Sequence, residues 1–218
     1  MKKITTIAFD YGGVLAYRVN DTYLRHMADA AGAPPDRFLD ALWRHRNDYD
    51  SGAIDARTYW ERVISDARGS DARGSDARAG AIEMLTQLDS FAWATMNPAM
   101  LRWLDTLERE GYRRVLVSNM AAETYDMIIR NSVWLSYFER VVLSGWLHIN
   151  KPDREIFLEA ARQMDVEPGE MLFIDDLEHN VDGARAAGLQ ALQFSDASTL
   201  ALALQEQYPQ VPRRGLQC

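Results

Sequence analysis

Four short apolar runs constrain this chain more than any other feature: ITTIAFD at 4–10, RRVLVSN at 113–119, RVVLSG at 140–145 and MLFIDD at 171–176. None alternates apolar with polar residues, so each reads as a strand covered on both faces. A weaker fifth run, LQALQF, occupies 189–194. Amphipathic helical stretches lie between them. PAMLRWLDTLEREG at 98–111 carries Met100, Leu101, Leu104 and Leu107 on one face and stops at Gly111. AETYDMIIRNS, DREIFLEAARQM and EHNVDGARAAG follow the second, third and fourth runs. Strand alternating with helix requires right-handed crossovers, and hence an α/β fold around a parallel sheet. Three of the four clear runs end in polar residues: Asp10, Ser118 with Asn119, and Asp175 with Asp176. Ligands of open parallel sheets bind beyond the carboxyl ends of the strands, so topology alone gathers these groups at one edge.

The stretch 17–94 has no strand pattern. Its segments TYLRHMADAAG, DRFLDALWRHRNDYDSG and DARTYWERVISDARG have helical periodicity, which predicts a helical insertion into an α/β core made of 1–16 and 95–218. Within it the pentad Ser-Asp-Ala-Arg-Gly occurs at 65–69 and 70–74, with a near copy from Ser75. Three short polar copies cannot build a solenoid. They read as an expanded surface loop or a charged helix extension, which costs little stability. The alternative is a phosphate- or partner-binding loop using Arg68, Arg73 and Arg78.

With 47% hydrophobic residues in 218, the chain can bury one core and a small accessory unit. A net charge of −8 argues against a nucleic-acid partner. It leaves room for a small anion whose charge a cation and one lysine offset. No run approaches the ~18–20 apolar residues of a membrane span. The start, MKKITTIAFDYGG, lacks the apolar stretch of a signal peptide. Cys218 is the sole cysteine, so no disulfide framework is expected, and a reducing cytoplasm is the expected setting.

Taken together, FDYGGVL, VLVSN, NKPDREIF and FIDDLEHNVDGARAAG resemble, in order, the four motifs of the haloacid dehalogenase-like hydrolase superfamily. The resemblance covers 1–16 and about 95–200. It implies a Rossmann-like core, with the insertion standing where many members carry a small helical cap. It further implies an Mg²⁺-dependent phosphatase acting on a small phosphorylated substrate, as monomer or homodimer. Asp10 is the expected nucleophile, forming an aspartyl-phosphate. Asp10, Asp176 and the backbone carbonyl of Gly12 are the expected Mg²⁺ ligands, with Asp175 supporting the metal through water or Lys151. Ser118 and the amide of Asn119 are expected on the phosphoryl oxygens, Lys151 between phosphate and Asp10, and Asn180 beside the acidic pair. SGAIDARTYW, KPDREIF and IDDLEHNVDGARAAG resemble a sugar-1-phosphate phosphatase branch.

The first motif departs from the family at Gly12, where the usual second aspartate would be the general acid and base. Losing such a group costs on the order of 10²–10⁴ in rate for a poor leaving group. A good leaving group, a proton donor from the insertion or a slow enzyme are the three ways out. His26, His45 and Asp48 are the nominees for the donor, and Tyr17, Trp43 and Trp60 are candidates to line the pocket. Gly12→Asp is expected to restore rate on an alkyl ester, provided that the turn does not need a positive φ. Two other readings stay open. One is a 2-haloacid dehalogenase, whose members also lack the second aspartate but generally carry neutral residues at the fourth-motif acids. The other is a non-catalytic binding protein on the same fold.

Overall fold

The computed structural model describes residues 3–69 and 76–216, with side chains at 76–79 left aside. Five strands form one parallel sheet: β1 (Thr6–Phe9), β2 (Arg113–Ser118), β3 (Arg140–Leu143), β4 (Met171–Asp175) and β5 (Gln190–Gln193), in the order β3-β2-β1-β4-β5. The chain builds outward from β1 through β2 to β3, then returns to the other side of β1 with β4. The switch point therefore falls between β1 and β4. Phe9 pairs with Leu116 on one side and Ile174 on the other, so the next residue, Asp10, emerges level with the ends of both neighbours.

Strand periodicity divides the core into two layers. Ile7, Phe9, Leu116, Leu172 and Ile174 point to one face, packed on Trp103, Leu104 and Leu107 of α5 (Pro98–Arg109) and Leu204 of α10 (Ala197–Gln207). Ala8, Val115, Val117 and Phe173 point to the other, against Ile156, Phe157 and Ala160 of α8 (Arg154–Met164) and Val181 and Ala184 of α9 (Glu178–Ala186). After β2 the expected helix is a single turn, α6 (Ala122–Thr124), that widens into a π-turn at Tyr125–Ile129. A four-residue helix, α7 (Ser144–Leu147), follows β3 directly.

Between β1 and α5 stand α1 (Asp21–Ala31), α2 (Pro35–Asp50), α3 (Ala56–Arg68) and α4 (Asp76–Ala92). They share a hydrophobic cluster of their own, centred on Met27, Phe38, Leu42, Tyr59, Trp60 and Val63. The chain crosses between the two clusters on paired segments: Tyr17 N donates to Thr95 O at 2.8 Å and Asn97 N to Leu15 O at 2.8 Å. The first pentad copy, 65–69, ends α3; the second lies outside the described residues, and the near copy runs into α4. Arg68 donates from Nε to Ala31 O at 2.6 Å, closing the end of α1 rather than reaching for an anion. Arg73 and the Arg78 side chain lie outside the described residues. No helix among the described residues is long and apolar enough to cross a membrane.

Candidate active site

Asp10 is buried at the end of β1 and its Oδ1 accepts three hydrogen bonds: Tyr11 N at 2.7 Å, Ser118 Oγ at 2.9 Å and Lys151 Nζ at 2.8 Å. Its Oδ2 has no such partner among the described residues and is left for other chemistry. Lys151 Nζ also reaches Asp175 Oδ2 at 2.7 Å. Asp175 is further fixed by Leu177 N at 2.8 Å and by Asn180 Nδ2, 3.2 Å and 3.1 Å from its two oxygens. Asn119 clasps the lysine's backbone, accepting from Lys151 N at 2.8 Å and donating to Lys151 O at 3.0 Å. Close approach of α9 holds this loop from below: a Cβ at Gly183 would stand 2.6 Å from Pro152 O.

Charge and burial compete at this cluster. Burial pushes the Asp10 carboxyl up to about 7, against the pull of Lys151 and with the repulsion of Asp175. Burial works against the Lys151 ammonium, yet Asp10 and Asp175 outweigh it and raise its pKa. Asp176 is raised by burial although Arg18 Nε donates to its Oδ2 at 2.6 Å. Gly13, at φ +79°, lies so close to Asp176 that a Cβ would stand 2.1 Å from Oδ2, so only glycine fits there.

One carboxylate oxygen from each of Asp10, Asp175 and Asp176 lies within 4.8 Å of the others. Hard oxygen donors at this spacing suit a small divalent cation such as Mg²⁺. Asn180 Oδ1 is buried beside them without a partner among the described residues, an acceptor free for a metal-bound water. A cavity of about 690 Å³ opens above this floor and is lined by Asp10, Gly12, Ser118, Asn119, Lys151, Asp176 and Asn180. Asp175 lies buried just beneath. Tyr11, Thr124 and His179 of the core and Arg18 at the start of the insertion line the cavity too, and the sequence alone singles out none of them.

A profile of the haloacid dehalogenase-like hydrolase family matches residues 4–188. The chain belongs to that family. Glyceraldehyde 3-phosphate phosphatase of Methanopyrus kandleri is 31% identical over 106 residues, 48% of this chain and 45% of its own length, so the chain spans under half of that relative. A HAD family enzyme of Bacteroides thetaiotaomicron, solved with magnesium and inorganic phosphate, superposes with a TM-score of 0.66 at 24% identity, covering 90% of this chain and 98% of that one. L-2-haloacid dehalogenase of Xanthobacter autotrophicus superposes with a TM-score of 0.66 at 18% identity, covering 94% and 84%. Those two likenesses show the fold.

The insert wall of the cavity departs from expectation. Trp43 lines it, together with Arg46, Asn47 and Asp50 of the same helix. Trp60 is fully buried in the helical cluster, and Tyr17 lines a second cavity beyond Asp176. None of the nominated proton donors lines the cavity over Asp10: His26 is exposed, His45 Nε2 sits 3.0 Å from Asp66 and Asp48 pairs with Arg62 at 3.5 Å. Gly12 is outside the left-handed region; the positive φ belongs to Gly13. What crowds Gly12 is Trp93, whose Cζ3 would stand 2.8 Å from an added Cβ. Arg46 is a buried charge at an otherwise apolar helix position, bound bidentately to Asp89 at 2.8 Å and 2.8 Å. Its place one turn after Leu42 in the buried stripe of α2 was the available signal.

Proposed function

We propose that this chain is an Mg²⁺-dependent phosphohydrolase acting on a small phosphorylated metabolite, with sugar phosphates the favoured class. The carrying observation is that Asp10 keeps one oxygen free while Ser118 and Lys151 hold the other, beside a compact acidic cluster. In this reading Asp10 Oδ2 attacks phosphorus in line, Ser118 and the Asn119 amide bind phosphoryl oxygens, and Lys151 neutralises charge between phosphate and Asp10. Asp10, Asp176 and the Gly12 carbonyl would hold Mg²⁺, with Asp175 and Asn180 supporting them. Bound there, the ion would neutralise phosphoryl charge and lower the Asp10 pKa. The helices of 17–94 act as a cap, supplying the wall that selects the substrate. A cytoplasmic setting and the absence of nucleic-acid or membrane partners belong to the same reading.

The lack of a second aspartate at position 12 is also a dehalogenase trait. Against a dehalogenase, a floor with two further carboxylates would repel a carboxylate substrate. A screen of phosphorylated metabolites with and without Mg²⁺ tests the assignment. Metal-dependent release of phosphate, lost in Asp10→Asn, is the expected result. Halide release from a 2-haloacid without metal would replace it with the dehalogenase reading, and inactivity in both assays would leave a binding protein.

A further inference from the structure

Phosphoryl transfer to Asp10 leaves an alkoxide that needs a proton, and the structure closes the customary route. Trp93 fills the space above Gly12, so the missing carboxylate is a replaced side chain rather than an empty slot. Of the cavity's other ionisable groups, Lys151, Tyr11 and Asp176 are committed, and His179 is open to solvent. Lys151 is shared by Asp10 and Asp175, Tyr11 donates its hydroxyl to Trp93 O at 2.8 Å, and Asp176 is bound to Arg18. His179 is exposed at the start of α9, next to the acid pair on the core side.

Asp50 differs from all of these. It belongs to the insert wall, on the stripe Trp43, Arg46, Asn47 and Asp50 that α2 presents to the cavity at helical spacing. Its side chain is 16% exposed, and its nearest ionic neighbour is Arg46 Nε at 3.8 Å, too long for a hydrogen bond. The Arg46 terminal nitrogens are taken by Asp89.

The end of α2 is also fixed to the core, through backbone carbonyls of its last turn and its cap. Ser144 Oγ donates to Asp50 O at 2.5 Å, His148 Nδ1 lies 2.9 Å from Ser51 O and Asn150 Nδ2 donates to Asn47 O at 2.8 Å. All three core residues lie on the segment that ends in Lys151, so Asp50 and Lys151 are held in one frame.

We propose that Asp50 is the proton donor to the leaving-group oxygen, a role that Gly12 cannot fill. The proposal rests on the phosphatase reading above. In the first half-reaction Asp10 Oδ2 bonds to phosphorus, the bond from phosphorus to the leaving oxygen breaks, and the Asp50 proton passes to that oxygen, leaving Asp50 ionised. In the second, Asp50 takes a proton from the water that attacks phosphorus, the Asp10–phosphate bond breaks, and free phosphate and the starting protonation states return. The surroundings keep this acid protonated to unusually high pH. Burial is the main cause, Asp89 on α4 adds repulsion, and Arg46 on α2 and Lys151 beside α8 offset part of it, leaving the carboxyl at about 7. Tyr49 of α2 and Tyr59 of α3, also in its field, are held neutral by their own burial. Its place at the C-terminus of α2 disfavours the anion further.

The test compares wild type, Asp50→Asn and Asp50→Glu, with Mg²⁺, on p-nitrophenyl phosphate and on a primary alkyl phosphate. Asp50→Asn is expected to lose on the order of 100-fold in kcat/KM on the alkyl ester and under about 10-fold on the aryl ester, which leaves without help. Asp50→Glu should recover part of the alkyl rate. Wild-type kcat/KM on the alkyl ester should fall above about pH 7, and that limb should vanish in Asp50→Asn. Equal losses on both esters, or none, would overturn the role of Asp50. If Asp50→Asn does not fold, a wild-type alkyl profile flat from pH 6 to 9 does so. No Mg²⁺-dependent turnover of p-nitrophenyl phosphate by wild type overturns the phosphatase reading, and the role of Asp50 with it.

Discussion

The two walls of the cavity are built by opposite means. The core wall is assembled by topology: Asp10, Ser118 and Asp175 each stand at or just past the end of a strand, and the order β3-β2-β1-β4-β5 sets those three strands side by side. The insert wall is assembled by attachment. One face of α2 reaches the site because core donors bind the carbonyls at the end of that helix. Residues of the first wall are fixed by the sheet register and can change only with the fold. Residues of the second depend on a few side-chain contacts, so the core wall is where a family keeps its chemistry and the insert wall is where one member can acquire a group of its own.

The largest expected effect lies on the core wall. Asp10→Asn removes the proposed nucleophile and should cut turnover of every phosphate ester by about 10³-fold or more. Thermal melting should show a folded protein, since the amide can still accept from Ser118. A folded variant with full activity would mean that the core wall is not catalytic at all.

The insert wall should fail through stability instead. Arg46→Met strands Asp89 as a buried, unpaired carboxylate, at a cost of roughly 3–5 kcal/mol. That is a fall in Tm on the order of 10 °C for a chain of this size. Arg46→Met with Asp89→Leu should recover most of the loss, because an apolar pair of similar volume avoids the desolvation of both charges. A single variant as stable as wild type would show that the pair contributes nothing to holding the wall.

Legibility in the sequence follows the same division. The strands were readable because a doubly covered strand has to be an unbroken apolar run, and their last residues mark the site because a parallel sheet exposes its carboxyl edge. Runs were read one to three residues too long, most at the first, where Ile4 and Thr5 precede β1 although Thr5 already bonds to the backbone of Glu170 and Arg113. Only part of the helix after β2 formed: AETYDMIIRNS spends its middle on a π-turn, which apolar spacing does not signal. On the insert, Trp43, Asn47 and Asp50 look like any exposed helix face. Only tertiary contacts distinguish Asp50 from Asp48, two residues away and pointed at Arg62. Nothing in the sequence marks Trp93 as the occupant of the space over Gly12.

Asp50 also carries a smaller, pH-dependent signature. The native state holds its proton more tightly than the unfolded chain does, so ionising it opposes folding. Stability should therefore decline as pH rises from about 4 through about 7, the span between its ordinary carboxylate range and its native value. Asp50→Asn lacks the Asp50 share of that decline and keeps the share of Asp10, which burial raises likewise. Chemical denaturation should find the variant equal to wild type near pH 4 and more stable at pH 8, by on the order of 2–3 kcal/mol. A constant difference across that range would show that Asp50 ionises as freely in the fold as outside it.

The smallest effect, and the one that separates the walls most sharply, is at Gly12. Restoring the family's aspartate there is the obvious gain to seek, but an added Cβ would stand 2.8 Å from Trp93 Cζ3 and 3.2 Å from Cε3. The backbone of Trp93 is held, its carbonyl receiving the Tyr11 hydroxyl and the chain at 95–97 being paired to 15–17, so relief requires the indole itself to change rotamer. Gly12→Asp alone should therefore cost about 1–3 kcal/mol through overpacking and leave the alkyl-ester rate unimproved. Gly12→Asp with Trp93→Ala makes room for the carboxylate. It should relieve the overpacking, at the separate cost of the lost Trp93 ring, and raise the alkyl-ester rate several-fold over Trp93→Ala alone, while the aryl-ester rate changes little. Placed in an Asp50→Asn background, the same pair should give its largest relative gain, since the new acid then has no competitor for the leaving oxygen. A gain from Gly12→Asp without any change at Trp93 would show that the ring yields and that the space over Gly12 was never closed. An equal gain with and without Asp50 would show that the two carboxyls serve different steps, and the insert wall would then contribute shape to the site but no proton.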